Sequence, residues 1–498
     1  MRRPRRSQRP THSTPVTVGV LIAIIVIAIV LALLSSGPDS EGSEAEGDGA
    51  AAAATNVLLI LTDDQDLASL EVMGEVQSRL AGEGTSFTNA FASLPQCCPS
   101  RATLLSGQYA HNTGVQDNAW PDGGYRAFDG EDALPVWLSD AGYRTGWIGK
   151  YLNEYGNSDR GNDPREIPPG WSEWVAPVEH TDFQMYGYTL NRNGELRDYG
   201  SAPRDYQTDV LARRAKAFVR GSAEQDEPFF LTVAPLAPHR EGGASRDRLD
   251  APRNPRPADR HRGSFADEPL PRPPSFNERR DQDKSAVVTD NPRLGAALID
   301  WLTTLNRSRR ESLLAVDEMV AGLVEELERT GQLERTLIIY TSDQGFLLGE
   351  HHLFGKNRLY EEALAVPLLM RGPGIEAGAV REAVVGNVDL APTILAATGT
   401  EPGLELDGYS LLPADDDASQ SRRPGLLLEL YDGGRFAGIR TDRYAYLDFG
   451  NRGRELYDLQ RDPFQLENLA EDPTQAETVR TLQRQVDRLR ECAGEACR

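Results

Sequence analysis

Residues 312–345 read SLLAVDEMVAGLVEELERTGQLERTLIIYTSDQG, and their reading decides the fold. Leu, Val and Met recur at three- and four-residue spacing, which predicts an amphipathic helix over 312–329. Gly331 and Gln332 break that pattern. The apolar run after Thr336 then fits a strand buried on both faces, and it ends in Asp343-Gln344-Gly345. A second such run, VLLILT after Asn56, ends in Asp63-Asp64-Gln65-Asp66. Helices alternating with buried strands predict an α/β fold with a mostly parallel central sheet flanked by helices. Such sheets collect ligands at the carboxyl ends of their strands, where both acidic clusters fall.

Between the two strands lies Gln96-Cys97-Cys98-Pro99-Ser100-Arg101, continuing ATLLSG to Gly107. This reads as a loop entering a helix. Pro99 suits the first helical position, which puts Cys98 near the cap. Cys97 then sits just ahead of the helix, facing its unpaired N–H groups, where an anion is stabilised. Arg101 can turn its planar fork to the same point.

The chain of 498 residues is long enough for one large domain and a smaller companion. Its formal charge is −23; the first fifteen residues hold five arginines and no acid, so the rest carries −28. A body so acidic, without a Lys/Arg groove, argues against nucleic acid as a partner. Val16 to Leu34 is nineteen residues without a charge, long enough to span a bilayer. The preceding arginines predict a cytoplasmic tail over 1–15, an anchor over 16–34 and everything beyond outside the cytoplasm. Cleavage after Ser35-Ser36-Gly37, giving a secreted form, is the alternative. Residues 35–54 are small and acidic, a flexible tether. The catalytic domain is assigned to 55–420. Within it, the Arg-, Asp- and Pro-rich stretch from Arg240 to Pro292 reads as a surface insertion at the site mouth or as a disordered loop. Short strand candidates after Arg422 and a helix over about 474–490 predict a small C-terminal antiparallel sheet with one helix, over 421–498. Cys492 and Cys497 can close a small loop there; pairing would imply an oxidising setting.

Asp63, Asp64, Asp343 and Gln344 offer only oxygen ligands, three of them anionic. Hard donors select Ca²⁺, with Mg²⁺ second, over Zn²⁺. One Asp at a strand end is ordinarily a helix cap; two clusters at equivalent strand ends outweigh that reading.

The string C-x-P-S-R-A-x-L-L-x-G from Cys97 to Gly107 resembles the signature of the formylglycine-dependent sulfatases, which have an alkaline-phosphatase-like fold. The resemblance extends from about Thr55 to the C-terminus. It implies that a formylglycine-generating enzyme oxidises Cys97 to an aldehyde whose hydrate supplies an oxygen ligand to the metal. One hydroxyl then attacks the sulfur of a sulfate ester, and the second expels sulfate. Thr62-Asp63-Asp64 and Ser342-Asp343-Gln344-Gly345 resemble the family's metal clusters, although Asn or His is commoner than Gln344. Arg101 would neutralise the nucleophile. Lys150 in GKYLNEYG and Lys356 in GEHHLFGKNRLYEE resemble its sulfate-binding lysines, and His239 in APLAPHR the histidine beside the leaving oxygen. Asn153 stands where many relatives carry a second histidine, which implies sulfate contact without proton donation. His111, His351 and His352 sit in similar strings as pocket-lining or structural residues. GKYLNEYG, CCPSR and the closing C-x₄-C are similar to the N-acetylglucosamine-6-sulfatase branch, which implies a sulfated sugar or small molecule as substrate. Trp120, Tyr151 and Tyr155 could stack on that sugar, or simply fill a core. A phosphonate or phosphate ester hydrolase of the same superfamily and a non-catalytic carbohydrate-binding ectodomain are the competing readings.

Overall fold

A ten-stranded sheet runs through the middle of the chain. The computed structural model describes residues 55–225, 227–242, 253–412 and 423–498. The tail, anchor and tether read from the sequence, and the 420/421 boundary, lie outside them. From edge to edge the strands are Ala379–Arg381, Thr85–Phe87, Leu368–Arg371, Thr336–Ser342, Asn56–Thr62, Phe229–Ala234, Arg144–Gly149, Glu173–Pro177, Thr189–Arg192 and Glu195–Asp198. The five strands from Thr336–Ser342 to Glu173–Pro177 are mutually parallel, and antiparallel strands flank them on both sides. The fold is therefore the mostly parallel α/β sheet expected.

Alternation along the buried strands explains why both faces are covered. Leu58 and Ile60 point into one core with helices Gln207–Gln225 and Ala296–Arg329. Val57, Leu59 and Leu61 point into the other with helix Cys97–Ser106. Thr62 pairs with Ser342, so the register sets Asp63 and Asp343 side by side at one sheet edge.

Two helix boundaries depart from expectation. The helix predicted over 312–329 begins at Ala296 and runs 34 residues. Its first half carries Arg307, Arg309, Arg310 and Glu311, which blur the apolar stripe; Arg309 is nevertheless fully buried. The cysteine helix starts at Cys97 with Gln96 as its cap, so Pro99 is the third helical residue rather than the first. The correction costs Pro99 nothing, because the first four helical N–H groups lack intrahelical partners anyway. The cap is instead supplied from afar: Asn118 Oδ1 accepts from the Cys98 N–H at 2.8 Å. The helix ends at Gly107, at φ +70°, where a Cβ would lie 2.9 Å from Leu406.

The C-terminal strands Leu426–Leu430, Phe436–Arg440, Tyr444–Asp448 and Arg454–Asp458 form an antiparallel sheet. Helix Ala476–Leu489 buries Leu482, Val486 and Leu489 against it, each worth roughly 1.5–3 kcal/mol when fully buried. The same apolar cluster includes Phe91, Tyr109, Leu347 and Leu359 from the body. Cys492 and Cys497 are disulfide-bonded, with Cα atoms 5.1 Å apart.

The insertion is no disordered loop over 253–292. Ser275, Glu278, Lys284 and Ser285 are buried, and Asn277 N–H donates to Gly349 O at 2.8 Å. His351 and His352 fix it by bonding Glu278, the first at 2.8 Å. Among the described residues no helix is long and apolar enough to cross a membrane; Val16–Leu34 lies outside them.

Candidate active site

Four adjacent parallel strands deliver the candidate groups to one edge. Asp63 and Asp64 extend Asn56–Thr62, and Asp343 and Gln344 extend Thr336–Ser342. Lys150 follows Arg144–Gly149, and His239 lies a short loop beyond Phe229–Ala234. Gly149 makes the exit before Lys150: its φ is +127°, and a Cβ would meet Ala234 O at 2.0 Å. Cys97 and Arg101 come from the helix that packs over this edge, and Lys356 follows the short strand Phe354–Gly355.

The side chains converge tightly. Lys356 Nζ lies 2.7 Å from Cys97 Sγ and 2.6 Å from Asp64 Oδ1. Lys150 Nζ bonds Asp63 Oδ2, and Cys97 Sγ is 3.5 Å from Asp63 Oδ1. Arg101 donates from Nε to Asp343 Oδ2 at 2.8 Å, and its other arm reaches Asp63 Oδ2 at 3.5 Å. His239 Nε2 is 3.5 Å from Asp64 Oδ2, and its Nδ1 donates to Arg240 O at 2.6 Å. Ligand atoms of Asp63, Asp64, Cys97 and His239 all fall within 4.8 Å of one another. The expected set thus comes together, with one difference of emphasis. Both Asp343 oxygens are engaged inside the protein, since Oδ1 also accepts from the Asp64 N–H at 3.0 Å.

Burial dominates the electrostatics. It pushes Asp63 up, but Lys150, backed by His239, Arg101 and Lys356, holds that carboxyl well below the usual range. Asp64 is likewise lowered, with Lys356 the main counterweight to burial. Asp343 moves the other way: burial and the Asp63 charge raise it against Arg101. Burial and Asp63 push the Cys97 thiol up to about 12, so an unmodified Cys97 is a protonated thiol and a poor nucleophile. Burial lowers His239 to about 4, leaving a neutral ring.

The donors suit a hard divalent cation. Gln344 Oε1 is buried without a hydrogen-bond partner, while its Nε2 bonds Asp64 Oδ1. An orphan amide oxygen beside three carboxylates is a ligand set for an oxygen-seeking ion. Asp64 also holds φ +65°, a strained conformation for a non-glycine residue. Its N–H to Asp343 and the Arg309 guanidinium on its carbonyl, at 2.5 Å, keep it there.

Other expectations sort by burial. Asn153 is buried with Oδ1 unpartnered. Cys98 is fully buried. Tyr151 and Tyr155 are core residues, packed edge-on against Trp174, and offer no face to a sugar. Trp120 is exposed and lies beside Arg126. His111 bonds Glu429 at 3.0 Å and the Cys492 carbonyl at 2.9 Å, tying the body to the C-terminal sheet. Two participants escaped the sequence reading. The Phe183 ring lies 4.8 Å from the His239 ring and 4.6 Å from Lys150 Nζ. Arg309 underlies Asp64 from the unpredicted half of the long helix. Neither sits in a motif, and Arg309 lies in a charged run that gives no sign of its burial.

Comparison with known proteins agrees with this geometry. Residues 55–400 match the Sulfatase family, and residues 349–492 match "N-sulphoglucosamine sulphohydrolase, C-terminal". The chain is 32% identical to human N-acetylglucosamine-6-sulfatase over 492 residues, covering 89% of this chain and 86% of that protein. It is 38% identical to a putative extracellular sulfatase Sulf-1 homolog of Caenorhabditis elegans, over 72% of this chain but only 48% of that longer protein. A solved structure of a protein in complex with its substrate D-glucosamine-2-N,6-O-disulfate superposes with a TM-score of 0.72 at 27% identity, covering 87% of this chain and 97% of that one. The sheet with its antiparallel companion is thus alkaline-phosphatase-like, and sulfatases generally use a formylglycine and a divalent metal. By family match, by near-full-length likeness and by the cysteine at its acidic strand ends, this chain belongs to the sulfatase family.

Proposed function

We propose that the protein is a sulfuric ester hydrolase that cleaves a sulfate ester of a sulfated sugar of the N-acetylglucosamine-6-sulfate type, with Cys97 converted to formylglycine. One observation carries this reading: Cys97 sits where Asp63, Asp64, Asp343, Lys150, Lys356 and Arg101 converge. The Sγ atom stands in for the oxygen of the oxidised residue. Burial raises the Cys97 thiol pKa, which disfavours direct attack by a thiolate.

Asp63, Asp64, Asp343, Gln344 and the converted Cys97 would hold the cation, Ca²⁺ first and Mg²⁺ second. When bound, it supplies positive charge that acidifies a hydroxyl and polarises the ester. The remaining work belongs to the chain. Arg101, pinned by Asp343, neutralises charge on the nucleophile. Lys150 and Lys356 receive the sulfate oxygens, and Asn153 adds an uncharged contact. His239, its Nδ1 proton spent on the Arg240 carbonyl, faces the site with Nε2; there it takes up a proton from solvent when the anionic ester binds and passes that proton to the leaving alcohol. It is neutral in the free site, and an anion between the two lysines offsets the cations that help lower it.

Residues 55–420 are proposed as the catalytic domain and 421–498 as its companion. The uncharged run 16–34 supports a single-pass anchor with the catalytic domain outside the cytoplasm, and a relative described as extracellular points the same way. Protease on intact cells should then release the enzyme by cutting within 35–54; a mature N-terminus near Gly37 in the medium would mean secretion instead. The function is tested by co-expression with a formylglycine-generating enzyme, the mass of the Cys97 peptide and a panel of sulfate and phosphonate esters. Turnover of sulfate esters that tracks the aldehyde is expected. Preference for phosphonate esters, or binding without turnover by fully converted protein, would overturn it.

A further inference from the structure

The site opens on one side. Lys150, Arg101 and the carboxylates are sealed, whereas the side chains of Lys356 and His239 keep 16% and 15% of their surface in solvent. A substrate therefore enters past these two residues. Their immediate neighbours in the chain are Arg240 and, across Gly355, Phe354. Phe354 is 44% exposed, unusual for a large apolar side chain. Its ring meets Trp301 edge-on at 5.7 Å, and the Arg240 guanidinium lies 5.9 Å from the same Trp301 ring. Trp301 comes from the first turns of helix Ala296–Arg329, whose Leu302 and Leu305 are fully buried in a small apolar cluster that holds it from behind.

Three distant segments thus place two aromatic rings and a cation at the mouth of one anion-binding pocket. Arg240 is half-buried, and the charges of both Asp64 and Arg309 act on it. An isolated exposed aromatic needs no explanation; here the exposed Phe354 is joined by the half-buried Trp301 and by Arg240, and Phe354 and Arg240 are chain neighbours of the two mouth residues. Aromatic faces accept the apolar C–H face of a sugar ring, and a planar guanidinium pairs with sulfate or carboxylate through two hydrogen bonds.

We propose that Arg240, Trp301 and Phe354 form a subsite for the body of the substrate: the rings carry the sugar, and Arg240 reads a second anionic substituent beyond the ester being cleaved. This rests on the sulfatase reading above and adds to it a preference for saccharides bearing more than one anionic group.

The test compares three sulfate esters: 4-nitrophenyl sulfate, N-acetylglucosamine 6-sulfate and glucosamine 2-N,6-O-disulfate. Arg240→Gln should lose kcat/KM on the disulfate by about 10- to 100-fold, mostly through KM, and by at least tenfold less on the two monosulfates. Arg240→Lys should recover part of that loss, which excludes misfolding as its cause. Trp301→Leu and Phe354→Ser should weaken both sugars more than the aryl ester. Equal losses on all three esters, or none on the disulfate, would overturn the subsite. Calorimetric titration of the disulfate and of N-acetylglucosamine 6-sulfate keeps the two proposals separable. If wild type turns over none of the esters but Arg240→Gln selectively weakens disulfate binding, the subsite stands and the catalytic reading falls. If both proteins bind the two sugars with unchanged affinity ratios, the subsite falls.

Discussion

Two buried polar clusters in this molecule are built from the same residue types and behave differently. At the junction with the C-terminal sheet, Asp389, Asp407 and Glu429 are all sealed from solvent. Their oxygens are taken up by backbone N–H groups: Gly386 and Tyr409 on Asp389, Tyr109 and Gly494 on Asp407, Ala110 on Glu429. Arg423 and His111 complete them. Among the described residues, none of these carboxylates has a buried oxygen without a partner. At the sheet edge, by contrast, Gln344 Oε1, Arg101 Nη2 and Asn153 Oδ1 are buried without a hydrogen-bond partner, and the Asp63 and Asp64 carboxylates lean on the lysine heads of Lys150 and Lys356. A network closed by its own backbone holds a structure, whereas one left short of partners is prepared for a ligand.

The comparison breaks most decisively at Cys97. Cys97→Ala should abolish turnover, by roughly 10⁴-fold or more in kcat, and leave the melting temperature close to wild type. Cys98→Ala, in the core beside it, should keep most activity. Reversed phenotypes would place the nucleophile on the wrong cysteine.

Metal removal comes next. Chelation should inactivate the enzyme, with Ca²⁺ or Mg²⁺ restoring it better than Zn²⁺. Asp343→Asn should weaken metal affinity by about 10- to 100-fold, because it also disturbs the Asp64 N–H and Arg101 contacts. Gln344→Asn, which keeps an amide oxygen, should cost less. Full activity of chelated protein would remove the metal from this site.

The junction should fail differently. Asp389→Ala leaves the Arg423 charge buried and unpaired, and should cost about 3–5 kcal/mol in urea unfolding. Turnover per folded molecule should hold; a parallel fall in kcat would show that the two clusters are coupled. Reducing Cys492–Cys497 should cost less, about 2 kcal/mol or under, because the loop it closes is short. Activity should survive, since that bond lies in the C-terminal cluster away from the sheet edge.

The smallest effect concerns His111. Burial would lower its pKa, but the Glu429 carboxylate and the Cys492 carbonyl raise it above the usual 6.5. A group raised on folding contributes stability that is fully present below its unfolded pKa and lost as pH rises through the folded one. The stability advantage of wild type over His111→Gln should therefore be largest below pH 6.5 and shrink as the solution becomes alkaline. An advantage independent of pH would mean that His111 acts as a neutral hydrogen-bonding bridge.

The sequence by itself determined whatever is written locally. Short apolar runs such as VLLILT fit buried strands, their acidic endings locate a ligand edge, and CCPSR carries its chemistry in consecutive residues. Only the tertiary structure decided which distant residues meet. Asp64 and Asp343 are 279 positions apart, and the pairing of Thr62 with Ser342 is what makes them neighbours. The same holds for Asn118 as the cap of the cysteine helix, for Phe183 beneath His239 and Lys150, and for the burial of Tyr151 and Tyr155. It holds for the first half of the long helix as well, where a buried Arg309 hides the apolar period from any local reading. The physical reason is common to all: periodicity reports how one segment meets water, whereas register and packing are set by segments far away, whose contacts leave no trace in spacing.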